Sequence, residues 1–217
     1  MDEKLEKEVT KYIEESCSTP DGVATFIGTH HVIRGQYHSC LIMFVGPDNE
    51  LYNDERFARN TFQGYRYATV GAGGTRRLTL AGDLVYEDNR WKDCMLGIKK
   101  EMIPVAGINN VEVVQQLYEL VQYYRENADI PMNYNPKEGE HNCNSFINGL
   151  LGALRVQVER PETRVLGWER PIAQEHFGVT EKAAERAMRQ EIIVTPTGAR
   201  IETRDRFFRG FRAPEAR

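Results

Sequence analysis

The chain has 217 residues, of which 41% are hydrophobic and 28% charged, with a formal net charge of −4; this is the composition of a soluble globular protein with room for one ordinary domain and a modest extension. The acidic balance argues against sequence-independent binding to nucleic acid, which needs Lys and Arg against phosphates, and no apolar run reaches the length that crosses a bilayer. The opening residues Met1-Asp2-Glu3-Lys4-Leu5-Glu6-Lys7-Glu8 lack the apolar stretch of a secretory signal. Cytoplasmic synthesis is therefore expected, and a dedicated secretion system that removes no signal would leave no trace in the sequence.

Leu5, Val9, Tyr12 and Ile13 recur at helical spacing until Pro20-Asp21-Gly22 imposes a turn, which predicts an opening helix. Val23 to Val32 and Tyr37 to Val45 read as two strands of a hairpin about Arg34-Gly35-Gln36. After the turn Gly46-Pro47-Asp48-Asn49, a third short strand is expected near Glu50 to Asn53. Further strand-like pieces follow around residues 67–70, 77–80 and 83–86, flanking Gly71, Gly73 and Gly74. Val114, Leu117, Val121 and Tyr124 fall on one face of a helix from Val111 to Glu126, with Asn109 or Asn110 as its cap. Pro131 and Pro136 keep the next stretch out of a helix. A second, buried helix then runs from Cys143 to Leu154. The expected division is a core of residues 1–155 and a C-terminal extension, residues 156–217. The extension carries a helix capped by Thr180, a hairpin about Pro196-Thr197-Gly198, and a tail with Arg200, Arg204, Arg206, Arg209, Arg212 and Arg217. Because acids and phenylalanines interleave with those arginines, a solvated terminus is the simpler reading of the tail.

The four cysteines, Cys17, Cys40, Cys94 and Cys143, form no C-x-x-C pair, so they read as reduced thiols rather than as a zinc ribbon or a dithiol redox motif. A lone cysteine heading an apolar helix is more often a packing residue than a nucleophile. The setting of Cys143 is different. His141-Asn142-Cys143-Asn144-Ser145-Phe146 is a polar loop running directly into a helix, where backbone N–H groups and the positive end of the helix dipole stabilise a thiolate and hold a developing oxyanion. A thiolate nucleophile also needs a base on a rigid element. His38 is the candidate, on the strand whose alternation places Gln36, His38, Cys40 and Ile42 on one face, available to a packed helix. His30 and His31, next to each other on a strand, point to opposite faces and make a poor metal cluster, and no cofactor is expected.

Tyr37-His38 opening a hydrophobic strand, with Asn142-Cys143-Asn144-Ser145-Phe146 far downstream, resembles the circularly permuted papain-like cysteine enzymes. The likeness is greatest to the PPPDE desumoylating isopeptidases, with the lecithin retinol acyltransferase-like and permuted NlpC/P60-like groups close behind. The resemblance implies an α+β fold, an antiparallel sheet packed against helices with the nucleophile at a helix N-terminus. It also implies Cys143 as nucleophile, His38 as general base, and Asn142, Asn144, Ser145 and Phe146 as the flank of the nucleophile; Gln36, on the face of His38, joins Asn142 and Asn144 as a candidate for the oxyanion and nucleophile flank. A third polar residue often orients the imidazole, and on the strand expected after the His strand Asn53 falls opposite His38, with Asp54 the second choice. The implied activity is cleavage of a peptide or amide bond through a thioester acyl-enzyme. The unmatched segments tilt the expected substrate toward peptidoglycan peptides, cleaved by an exported effector that would meet an immunity or carrier protein, over ubiquitin-like conjugates. Acyl transfer, and a binding module that leaves the thiol unused, are the alternatives.

Overall fold

The computed structural model describes residues 3–33, 36–58, 60–73, 77–80, 101–133, 136–137 and 140–179. The chain divides into two compact units, Met1–Gly178 and Val179–Arg217. Residues 156–178 fall in the first unit together with residues 1–155. The helix expected at Thr180, the hairpin about residues 196–198, the basic tail, the strand at 83–86 and Cys94 all lie outside the described residues.

The first unit is α+β. A five-stranded antiparallel sheet has the order β3-β4-β2-β1-β5, with β1 Val23–Ile33, β2 Gln36–Val45, β3 Thr61–Phe62, β4 Tyr65–Val70 and β5 Glu101–Pro104. Helices α1 (Glu3–Ser16), α2 (Val111–Asn127) and α3 (Cys143–Ala153) complete it among the described residues. The β1–β2 hairpin holds the centre, as the run of β-branched and aromatic residues anticipates.

Strand alternation divides the core in two. Ala24 and Phe26 of β1, Cys40, Ile42 and Phe44 of β2, Tyr67 of β4 and Met102 of β5 cluster with Val9 and Ile13 of α1, and Leu5 and Tyr12 pack against them. Phe26 meets Tyr12 and Phe44 edge to face, at 5.0 and 5.9 Å between ring centroids. Ile27, Leu41, Met43 and Val70, also buried, alternate with those residues and so face the opposite side of the sheet. On that side α3 packs against β2, and Phe146 of α3, Tyr124 of α2 and Phe177 form a three-ring cluster with centroids 4.9–5.6 Å apart.

Glu50–Asn53 is a 3₁₀ turn and not the expected third strand. The side chain of Asn49 accepts the Leu51 N–H at 2.9 Å and starts a helical turn in place of a ladder, while Leu51 is buried beneath it. Residues 77–80 contribute only isolated bridges, Gly73 to Thr79 and Arg77 to Pro131. The strand that extends the sheet is β5, on the outer side of β1; it ends in Pro104, a residue suited to an edge.

Gly149 lets the backbone of Ile172 lie against α3: a Cβ there would stand 2.6 Å from the Ile172 carbonyl oxygen and 2.9 Å from its nitrogen. Both are backbone atoms, anchored by the bond from Ile172 N–H to the Ser145 carbonyl at 3.1 Å. Gly149→Ala should therefore lose about 1–3 kcal/mol of stability through overpacking, even though alanine favours helices, as read from chemical denaturation midpoints.

Candidate active site

Cys143 is the first residue of α3 and is partly exposed. The residue before it, Asn142, is the N-cap: its Oδ1 accepts from the N–H groups of Asn144 at 2.9 Å and Ser145 at 3.1 Å, and the Ser145 hydroxyl accepts from the Asn142 N–H at 3.3 Å. This is a capping box with Asn and Ser in the two roles. It changes the expected oxyanion arrangement, because two of the first-turn N–H groups already serve Asn142. The Cys143 N–H is the first-turn donor that the cap leaves.

The residue after Cys143 joins the helix to the sheet. Asn144 is buried, and its Oδ1 accepts from the Ser39 N–H at 2.9 Å and the Ser39 hydroxyl at 2.7 Å, while its Nδ2 donates to the Tyr37 carbonyl at 3.0 Å and the Leu166 carbonyl at 2.9 Å. Every donor and acceptor site of the amide is thereby used. Tyr37 and Ser39 are the two neighbours of His38. Asn144 lies along the edge of β2 where β4 has ended, since the last β4 residue, Val70, pairs with Leu41. The Cys143 Sγ is 3.7 Å from the same Oδ1, so the thiol stands two contacts from the peptide bond that follows His38.

His38 is 7% exposed. Its strand position aligns it with Cys40, Ile42 and Phe44, and the helix those residues meet is α1. Helix α3 packs on the other face, the one Ser39 shares, and its first turn reaches the backbone of Tyr37 and Ser39 at the edge of β2 through Asn144. Gln36 heads β2, and its side chain lies outside the described residues.

Asn53 is not brought to His38. Arg66, which pairs with Val45 at the far end of β2, donates to the Asn53 Oδ1 at 2.9 Å. His38 is seven residues back along the strand, about 23 Å at about 3.3 Å per residue. Asp54 is equally remote and is engaged by Arg56, whose Nε and Nη2 donate to its carboxylate at 2.7 and 2.5 Å and hold its pKa below the usual range. The residue facing His38 is His30, its ladder partner on β1, with ring centroids 5.0 Å apart. Counting outward from a turn at Arg34 pairs 30 with 38, so the signal was present in the hairpin itself.

Sequence reasoning also missed the segment from Thr163 to Trp168, which wraps the N-terminus of α3. Its carbonyls take the Tyr37 N–H at Arg164, Asn142 Nδ2 and Asn144 Nδ2 at Leu166, the Ser145 hydroxyl at Gly167 and Asn148 Nδ2 at Trp168. Gly167 has φ +87°, and a Cβ there would meet the Asn142 Oδ1 at 2.6 Å. Only this glycine, among residues of no motif, marks the strap in the sequence. His141 is tied to the same region, its Nδ1 lying 3.2 Å from the Arg170 carbonyl oxygen. Among the described residues no three His, Cys, Asp or Glu side chains gather as a metal ion requires.

Asn144→Ala would leave the Ser39 N–H and the Tyr37 carbonyl without their partner, and about 2–4 kcal/mol of stability should go with it. Asn144→Asp keeps the shape but sets a carboxylate against two carbonyl oxygens, so it should also fail to restore the joint; thermal unfolding of both variants beside the parent measures this. No family model, no curated protein and no solved structure matches this chain.

Proposed function

We propose that this chain is a cysteine hydrolase that cleaves a peptide or amide bond, with Cys143 as nucleophile and His38 as general base, on a permuted papain-like fold. The observation that carries the reading is the Asn144 joint: one side chain, adjacent to the candidate nucleophile, holds the backbone on both sides of the candidate base. The resemblance of Tyr37-His38 and Asn142-Cys143-Asn144-Ser145-Phe146 to the permuted papain-like enzymes supports the same reading.

In the proposed cycle His38 takes the thiol proton and Cys143 attacks the carbonyl carbon. The Cys143 N–H and the α3 dipole stabilise the tetrahedral oxyanion. His38 returns the proton to the leaving amine, and water, activated by the same imidazole, releases the acid and restores the thiol. An amine or alcohol in place of water would make the same acyl-enzyme a transferase, and product analysis separates the two.

The tilt toward peptidoglycan rests on two unmatched segments, Tyr52 to Asn110 and the residues after Arg155. Residues 163–168, within the second of these segments, build the strap around α3, so that part does not bear on the substrate. Cell-wall peptides and ubiquitin-like conjugates are accordingly the two arms of the deciding experiment: incubation with each, followed by intact-mass detection of a thioester on Cys143 and identification of the released product. Cys143→Ala should abolish turnover in both arms while leaving the fold intact, and His38→Ala should do nearly the same. Turnover by folded Cys143→Ala would end the proposal.

Thiol reactivity gives a test free of substrate. Cys17 is held protonated, its pKa pushed up to about 11 chiefly by burial, so at pH 7.5 its thiolate amounts to roughly one molecule in 10³–10⁴. Cys40 is fully buried. A limiting amount of iodoacetamide at pH 7.5 should therefore label Cys143 before either of them, with Cys17 following only as the pH rises toward 11; peptide mapping reads the order.

A further inference from the structure

We infer that His30 is a positioning residue for His38, acting through ring contact across the hairpin; the inference rests on the dyad proposed above. His30 and His38 are direct partners in the β1–β2 ladder and therefore point to the same face of the sheet. Their ring centroids are 5.0 Å apart at 59°, and their residues are 1% and 7% exposed. The next ladder pair toward the turn repeats the arrangement with His31 and Tyr37, 5.6 Å apart on the opposite face. On its β1 flank the His38 ring meets a second buried ring. On its other flank β4 has already ended, and there Asn144 brings the start of α3 to the strand. His30 thus closes one side on which the His38 imidazole could turn away, the side opposite the strand edge where Asn144 ties α3 to β2. A general base must keep its ring nitrogen within hydrogen-bond reach of the thiol, so a wall on the far side favours the productive rotamer.

The test is a double-mutant cycle on the rate of Cys143 alkylation by iodoacetamide at pH 6.5, in full-length protein checked for native circular dichroism and cooperative unfolding. His30→Leu should slow alkylation about fivefold when His38 is present and leave it unchanged in a His38→Ala background, the non-additivity expected of residues acting as a unit. His30→Phe, which keeps a flat ring and guards against a Leu variant that fails to fold, should stay within about twofold of the parent. Equal slowing in both backgrounds would reduce His30 to general support of the fold and overturn the inference, as would a folded His30→Leu protein that reacts like the parent. A Phe variant slowed as much as the Leu variant would overturn the ring-contact role in favour of imidazole chemistry. If His38→Ala by itself leaves the rate of Cys143 unchanged, the dyad fails first, and the assignment of His30 falls with it; that outcome is read from the single mutant alone.

Discussion

The side-chain amide of Asn144 does the work of a missing strand. Where β4 stops at Val70, β2 would expose the backbone of Tyr37 and Ser39, and the amide offers an acceptor to one and a donor to the other at 2.9 and 3.0 Å. Buried peptide groups must find partners, and here the partner is fixed to the first turn of a helix. The position of α3 along β2 is consequently set by hydrogen bonds with directional requirements, in addition to apolar contact, which tolerates sliding. Everything proposed about Cys143 follows from that registration.

Two further devices keep the joint rigid. The capping box of Asn142 and Ser145 orders the turn on which Cys143 sits, and the strap from Thr163 to Trp168 presents successive carbonyls to Asn142, Asn144, Ser145 and Asn148. The strap is itself tied to the sheet, because the Glu101 carboxylate on β5 accepts from the Glu162 and Thr163 N–H groups at 2.8 and 3.1 Å, and the Thr163 hydroxyl lies 3.1 Å from that of Thr29. Helix, central hairpin, edge strand and strap thus share one polar network around a single turn of helix.

The sequence made legible whatever depends on local periodicity. Helix α1 follows from Leu5, Val9, Tyr12 and Ile13, helix α2 from its apolar stripe and the Asn110 cap, the hairpin from its β-branched and aromatic runs, and the start of α3 from the polar loop that ends at Cys143. Features that depend on distant partners were not legible. Nothing in Glu101-Met102-Ile103-Pro104 distinguishes a four-residue edge strand from a loop, and Asn49 turned Glu50–Asn53 into a 3₁₀ turn by a side-chain bond that no period encodes. A simple meander would put Asn53 opposite His38; the order β3-β4-β2-β1-β5 instead leaves the His38 end of β2, among the described residues, paired only with β1 and puts His30 beside it. Alternation on β2 correctly grouped His38 with Cys40 and Ile42, yet could not say which helix covers that face.

The occupied edge of β2 also restricts how a polypeptide could approach. Many proteins that handle extended chains let the guest add itself to an exposed strand, drawing affinity from main-chain pairing that is indifferent to side chains. Between Tyr37 and Ser39 that invitation is withdrawn, because Asn144 and the Arg164 carbonyl already take the groups a guest would need. The same occupancy removes a row of unsatisfied groups through which two copies could fuse sheet to sheet. On the function proposed here, a chain reaching Cys143 would find no strand to pair with between Tyr37 and Ser39, and selectivity would come from side-chain shape and charge across the partly exposed first turn of α3.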